Sequence, residues 1–229
     1  TPLYNCAAKG KITYEESKTL GYFSGYKSLE EIGARERTDK SSFYHNYLTK
    51  YQHFLAPWKD KSFTILELGV FYGGSERMWR EYFPNAEIHG VDIDERCREY
   101  ERERLHIHIM DLAKKENLVK LKELKPSLII DDASHLWSHQ ILSLFTLFDV
   151  LPSGGIFIME DMETSLNQEL YPGYNDAPVD AYTVCERIAK VVASKKPEVG
   201  EVYSEEVSRI GMDTEFVGIM KGAAIFIKR

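Results

Sequence analysis

From Phe63 to Met159 the chain alternates short apolar runs with longer stretches in which apolar residues recur every three or four positions. The runs at 63–68, 87–91, 106–110, 127–131 and 155–160 have the length of strands. The stretches at 75–83, 94–104, 114–123 and 135–150 are read as helices. Strands that alternate with helices fold into a parallel sheet covered on both faces. Leu128-Ile129-Ile130 and Ile156-Phe157-Ile158-Met159 are apolar without interruption, as strands buried on both sides should be. Pro152-Ser153-Gly154-Gly155 is turn chemistry leading into the second of them.

Outside this block the pattern changes. Ser28 before Leu29, Glu30 and Glu31 predicts a short capped helix at 28–35. Phe43, Tyr47, Leu48, Tyr51, Phe54 and Leu55 predict a helix over 41–58 with one apolar face, closed by Pro57. Residues 162–181 have no period and many turn formers, which predicts a lid or substrate loop. A helix at 180–194 comes next, then a hairpin in which Glu215–Met220 and Ala223–Lys228 flank Lys221-Gly222. The division this implies is an N-terminal helical extension over 1–58 and one binding domain over 59–229.

Composition narrows the function classes. The 229 residues suffice for one well-buried α/β domain with trimmings. A net charge of −7, from 29 basic and 36 acidic residues, gives no global attraction to nucleic acid or to an anionic membrane. The three cysteines, Cys6, Cys97 and Cys185, stand far apart, which supports neither a disulfide framework nor a thiolate metal site. No apolar run approaches the ~20 residues of a membrane span, and Thr1–Asn5 lacks a signal peptide's charged and apolar regions. A reduced, cytoplasmic setting is the expectation.

The first motif is Ile65-Leu66-Glu67-Leu68-Gly69-Val70-Phe71-Tyr72-Gly73-Gly74-Ser75, with Asp92 at the end of the next strand. Strand, glycine turn, helix, strand and acid build a nucleoside pocket at the carboxyl edge of a parallel sheet. A dinucleotide needs G-x-G-x-x-G, so that its pyrophosphate can sit on the helix N-terminus. Here the spacing is Gly69-x-x-x-Gly73-Gly74, and the Glu67 carboxylate would repel a pyrophosphate. It suits the cationic amino-acid end of S-adenosylmethionine. The segment resembles the E/D-x-G-x-x-x-G motif of class I methyltransferases. A βαβ unit whose glycines only pack helix against strand is the plain alternative.

The second motif lies at the ends of the fourth and fifth strands: Asp131-Asp132-Ala133-Ser134-His135 and Glu160-Asp161. Neighbouring strands would crowd these carboxylates on one rim, and crowded like charges raise one another's pKa unless a cation sits between them. A hard divalent ion with oxygen ligands answers this, Mg²⁺ first and Mn²⁺ or Ca²⁺ next. Consecutive strand residues face opposite ways, so Glu160 and Asp161 can share an ion only where the strand has turned into a loop. The plain alternative makes Asp132 or Ser134 a cap for the helix at 135–150, and Asp161 a cap for the segment after Met162. His139, one turn after His135, is a weaker ligand candidate.

Thr38-Asp39-Lys40, Tyr47, the Glu67–Ser75 segment, Trp79, Asp92-Ile93-Asp94, the Asp131–His135 run, Leu151 to Gly155 and Glu160-Asp161 together resemble the metal-dependent sugar O-methyltransferases of macrolide deoxysugar and rhamnosyl type. The resemblance covers about 38–165. It implies an α/β, Rossmann-like sheet of order 3-2-1-4-5-7-6 with helices on both faces. It implies metal ligands at Asp132, Glu160 and Asp161 and a general base at His135. It implies cofactor contacts at Thr38, Lys40, Glu67, Gly69, Tyr72, Gly73, Ser75, Asp92, Asp111 and Asp131. The acceptor expected is a small glycoside or sugar, with neither nucleic acid nor membrane as partner and a homo-oligomer left open. Arg37, where glycine often precedes T-D-K, and Ala133, where glycine is usual, depart from the pattern. A catechol-type enzyme would carry Asp-Asn where Glu160-Asp161 stands; a non-catalytic S-adenosylmethionine-binding protein would not need His135.

Overall fold

The structure is a computed structural model that describes residues 27–229. Helix α1 (Leu29–Glu36) opens with the anticipated cap: Ser28 and Glu31 satisfy each other's backbone N–H groups in a capping box. Helix α2 (Leu48–Leu55) is next, then strand β1 (Thr64–Leu68), helix α3 (Gly74–Tyr82), β2 (Glu87–Asp92) and β3 (Leu105–Ile109). After these come α4 (Lys115–Leu121), β4 (Leu128–Asp131), α5 (Trp137–Leu147) and β5 (Ile156–Met159). The chain ends with α6 (Glu163–Leu166), α7 (Ala181–Ser194), α8 (Ser204–Met212), β6 (Thr214–Met220) and β7 (Ala223–Lys228).

Among the described residues seven strands form one sheet of order β3-β2-β1-β4-β5-β7-β6, as expected. The first five run parallel, and β7 closes antiparallel on β5 with β6 outside it. Every residue of β4 and β5 is buried, which explains their unbroken apolar sequence. Alternate side chains feed two cores. Ile65, Ile130 and Ile158 meet α1, α2 and α3 on the first face. Leu66, Ile129 and Phe157 meet α4, α5, α7 and α8 on the second. Each such side chain stabilises the fold by about 1.5–3 kcal/mol, so these two layers hold the sheet's carboxyl edge in place. No helix among the described residues is long and apolar enough to cross a membrane.

Five segments differ from the pattern reading. The helix expected over 41–58 begins only at Leu48. Residues 41–47 instead fold back on the strand end, with Tyr47 N–H donating to the Lys40 carbonyl at 2.8 Å and Asn46 in a left-handed conformation (φ 57°). Phe43, counted toward the apolar face, is 77% exposed. The helix expected over 94–104 is a 3-10 turn, Glu95–Tyr100, of which only Cys97 is buried; charge alternation without an apolar face does not sustain a helix there. The helix expected from 135 begins at Trp137, because His135 is left-handed (φ 58°). Helix α8 was not anticipated; Val207, Ile210 and Gly211, which it buries, are too few to mark a period. The 162–181 loop contains α6 and is pinned to the start of α5, where Asp176 accepts from the Ser138 N–H at 2.9 Å.

Candidate active site

The turn after β1 is held by its own backbone. Gly69 sits at φ +97°, and a Cβ there would collide with the Asp132 carbonyl. Gly73 sits at φ +66° at the entry to α3. Asp92, at the end of β2, braces this turn. Its Oδ2 accepts from the N–H groups of Val70 (3.0 Å) and Phe71 (3.1 Å), and its Oδ1 from Asp94 (2.9 Å). Burial raises the Asp92 pKa, but these donors outweigh it and leave the carboxylate below its ordinary value.

Two clefts open on either side of Gly69. One, about 540 Å³, is lined by Gly69, Asp92, Met110, Asp111, Ala133 and Ser134 among others. The other, about 450 Å³, is lined by Thr38, Gly69, Tyr72, Ser75 and Asp132 among others. Of the expected cofactor residues, Gly69, Thr38, Tyr72, Ser75, Asp92 and Asp111 therefore face cleft space. Lys40, Glu67 and Asp131 lie behind it, buried.

On the first face of the sheet, Lys40 gathers the acids. Its ammonium is fully buried, in contact with Asp132 Oδ2, 2.8 Å from Glu160 Oε2 and 3.4 Å from Glu67 Oε1. Burial alone would lower the Lys40 pKa; Asp132, Glu160 and Glu67 reverse that and hold it well above its ordinary value. Tyr51 O–H donates to Glu160 Oε1 at 2.9 Å, and Trp79 Nε1–H to Glu67 Oε2 at 2.8 Å. Burial pushes Glu67 up to about 7, against the pull of Lys40. On the second face Asp131 accepts from the Ser143 hydroxyl and is pushed up to about 6, again mainly by burial.

Glu76 is a further buried acid, and the sequence reading passed over it. One residue into the buried face of α3, its Oε1 has no hydrogen-bond partner, and burial raises it well above its ordinary value. A Cβ at Gly90 would lie 3.2 Å from that oxygen, so the glycine makes its room. A charged residue in a helix reads as outward-facing, which hid it.

Beyond the strand ends the backbone reverses at two non-glycine residues, His135 (φ 58°) and Asp161 (φ 54°). Such conformations are uncommon and concentrate at functional sites. They bring His135 Nδ1 to 3.2 Å from Asp161 Oδ2. Ligand atoms of Asp132, His135 and Asp161 lie within 4.8 Å of one another, as do those of His45, Asp161 and Glu163. Tyr47 O–H donates to Asp161 Oδ1 at 3.1 Å. Glu160 belongs to neither trio, since its oxygens are engaged by Lys40 and Tyr51. Neither α5 nor α6 has a side-chain hydrogen bond from its own N-cap residue, and of the capping candidates Ser134 Oγ accepts from the Leu136 N–H at 3.4 Å. Ser134 Oγ also lies 2.7 Å from His139 Nδ1, at the wall of the larger cleft.

No protein-family profile matches the chain. It is 33% identical over 157 residues to the 8-demethyl-8-alpha-L-rhamnosyl tetracenomycin-C 2'-O-methyltransferase of Streptomyces olivaceus, which covers 65% of this chain and 41% of that protein. It is 30% identical over 168 residues to the mycinamicin VI 2''-O-methyltransferase of Micromonospora griseorubida, 69% of this chain and 41% of that one. The chain thus spans under half the length of these curated relatives. In three dimensions it superposes with a TM-score of 0.76 and 22% identity on the MycE methyltransferase of the mycinamycin pathway, solved with Mg, SAH and mycinamycin VI, over 93% of this chain and 56% of that one.

The fold is that of a class I methyltransferase, and the chain is a relative of sugar O-methyltransferases. In this methyltransferase fold the residues present fit both groups that the sequence implied. The missing Cβ at Gly69 lets the turn pack on the Asp132 carbonyl at the cleft wall, and Asp92 stands at the cleft's edge with both oxygens able to accept further bonds. The carboxylates of Asp132 and Asp161 are hard oxygen donors, and His135 Nδ1 beside them is buried without a hydrogen-bond partner.

Proposed function

We propose that the chain transfers a methyl group from S-adenosylmethionine to a sugar hydroxyl of a glycosylated small molecule, with the help of a divalent cation, Mg²⁺ by preference. The observation that carries this reading is the contact of Gly69 with the Asp132 carbonyl, which sets the cofactor turn directly against the acid and histidine group. The names of the curated relatives, which act on rhamnosylated and macrolide acceptors, support the choice of acceptor class. The unpaired, buried Cys97 and Cys185 fit the reduced, cytoplasmic setting of this reading.

In this mechanism the cofactor lies along the turn at Gly69, Asp92 accepts from its ribose hydroxyls, and Asp111 lines the cleft beyond. Glu67 lies buried behind the cleft on the amino-acid side, bonded by Trp79 and facing Lys40. Asp132 and Asp161 would hold the ion, with Glu160 kept behind them by Lys40 and Tyr51; when bound, the ion lowers the pKa of an acceptor hydroxyl and orients it. Asp161 Oδ2 stands 3.2 Å from His135 Nδ1, and Nε2 would take the hydroxyl proton.

Incubation of the protein with methyl-labelled S-adenosylmethionine and a panel of rhamnosylated, other deoxysugar-bearing and catechol acceptors tests this. Label should appear on a sugar hydroxyl, disappear with EDTA and return with Mg²⁺. Transfer confined to catechols would move the chain to the catechol-type class. Bound S-adenosylhomocysteine with no transfer to any acceptor would make it a binding protein.

A further inference from the structure

The acid pair at the end of β5 is met by two tyrosines one helical turn apart. Tyr47 is the N-cap of α2 and Tyr51 lies inside it, their rings stacked with centroids 5.7 Å apart. Side chains four positions apart lie on one helix face, so both hydroxyls reach the same strand end. Tyr51 O–H donates to Glu160 Oε1 at 2.9 Å, and Tyr47 O–H to Asp161 Oδ1 at 3.1 Å. In an extended strand Glu160 and Asp161 would face opposite sides. The left-handed backbone of Asp161 (φ 54°) brings both carboxylates to the tyrosines.

The two contacts are not equivalent. Glu160 is also engaged by the buried Lys40 ammonium at 2.8 Å, and it belongs to neither trio of ligand atoms. Asp161 belongs to both. On its other oxygen His135 Nδ1 stands 3.2 Å away but makes no hydrogen bond. The Tyr47 hydroxyl has one proton and two acceptors in reach, Asp161 Oδ1 and the Gly222 carbonyl, each at 3.1 Å. That carbonyl already accepts from the Met162 N–H at 3.0 Å. A carboxylate is the stronger acceptor, so the proton serves Asp161.

We propose that Tyr47 is a positioning residue for the divalent ion. Its hydroxyl fixes Asp161 Oδ1 and so turns Oδ2 toward His135. The role rests on the ion of the function proposed above. The hydroxyl is seated in turn by the C-terminal hairpin, 175 positions further along the chain. Gly222, at the tip between β6 and β7, sits at φ +77°, and a Cβ there would collide with Tyr47 Oη. Bare backbone at the hairpin tip therefore makes room for the group that orients Asp161.

The test is titration of EDTA-stripped protein with Mn²⁺ alone, the free ion followed by electron paramagnetic resonance. Wild type should bind one ion per chain. Tyr47→Phe keeps the ring and leaves the Gly222 carbonyl its Met162 donor, so it removes only the bond to Asp161. Loss of a partner that bonds a metal ligand costs roughly 10–100-fold in affinity, and Tyr47→Phe should weaken Mn²⁺ binding by that much. Tyr51→Phe should weaken it less, because Lys40 still engages Glu160, which stands outside the donor group. Gly222→Ala should weaken binding in the wild-type background more than in Tyr47→Phe, where the hydroxyl it strikes is gone. Wild-type affinity in Tyr47→Phe, or an equal loss in Tyr51→Phe, would overturn the assignment while the proposed function stood. An equal effect of Gly222→Ala in both backgrounds would overturn the link through the hairpin. A wild-type protein that binds no Mn²⁺ would overturn the ion itself, and this role with it. Circular dichroism confirms that each variant is folded, so a changed affinity reports the site.

Discussion

The turn after β1 and the acid group after β4 and β5 touch at Gly69, yet they satisfy their polar groups in opposite ways. The turn offers bare N–H donors, and one carboxylate, Asp92, answers two of them and the Asp94 N–H besides. The acid group offers negative charge in excess, and one buried ammonium, Lys40, answers three carboxylates. The first arrangement is built from residues at most 24 positions apart, from Val70 to Asp94. The second reaches from Lys40 to Glu160, 120 positions away. Local geometry specifies the cofactor edge, and tertiary packing specifies the reacting edge.

If that contrast is right, the largest effect belongs to the group that does chemistry. His135→Ala should lower turnover by about 10²–10⁴, the typical contribution of a positioned base. S-adenosylhomocysteine affinity should be unchanged, because the turn does not depend on His135. Stopped-time assays beside calorimetric cofactor titration check both halves; equal turnover removes His135 from the mechanism.

Lys40→Met attacks the other region's electrostatics. Removing one partner of a buried ion network costs about 3–5 kcal/mol, because the remaining charges stay buried without an opposite one. Urea unfolding measures it. Lys40→Met combined with Glu160→Gln should recover part of the loss, and no recovery would mean that Lys40 acts by packing alone.

That prediction shows how far the sequence was readable. Two-sided burial was legible because β4 and β5 announce themselves as unbroken apolar runs, whereas the sheet order came from the family resemblance. Gly69, Gly73 and Asp92 were legible because their role is local. Lys40 was expected at the cofactor, and the structure buries it among Asp132, Glu160 and Glu67 instead of lining either cleft. Tyr51, Glu76, His45 and Glu163 were not read as site residues at all. Each gains its role from a contact across elements, and Tyr51 and Glu76 carry it from helix positions that look like ordinary core or surface.

pH separates the regions more gently. Asp131 sits at about 6 in the fold against an ordinary 3.8, so the native state keeps a proton that the unfolded chain has released. The unfolded state binds fewer protons between those values, and stability therefore falls as pH rises through the window. The full difference approaches about 3 kcal/mol. Asp131→Asn should flatten that fall while leaving the Asp92 turn untouched, because Asp92 is held low and opposes it only under more acid conditions. Urea unfolding at pH 4 and pH 7 shows whether the slope changes; an unaltered slope would mean that another group carries the proton.

The smallest effect tests the junction itself. Gly69→Ala forces a side chain into φ +97°, a strain of about 1–3 kcal/mol, and drives its Cβ against the Asp132 carbonyl. Gly73→Ala meets the same kind of strain at φ +66°, but its Cβ would press on the Tyr100 ring, 2.7 Å away, and on nothing in the acid group. Both variants should weaken S-adenosylhomocysteine binding. Gly69→Ala alone should also raise the Mg²⁺ concentration needed for half-maximal turnover, because the carbonyl it displaces belongs to a residue whose carboxylate is a proposed ligand. Calorimetry and a Mg²⁺ titration of activity separate the two. Were both variants to show the wild-type Mg²⁺ requirement, the cofactor turn and the acid group would be neighbours without being coupled, and the reading of one continuous reaction edge would lose its physical link.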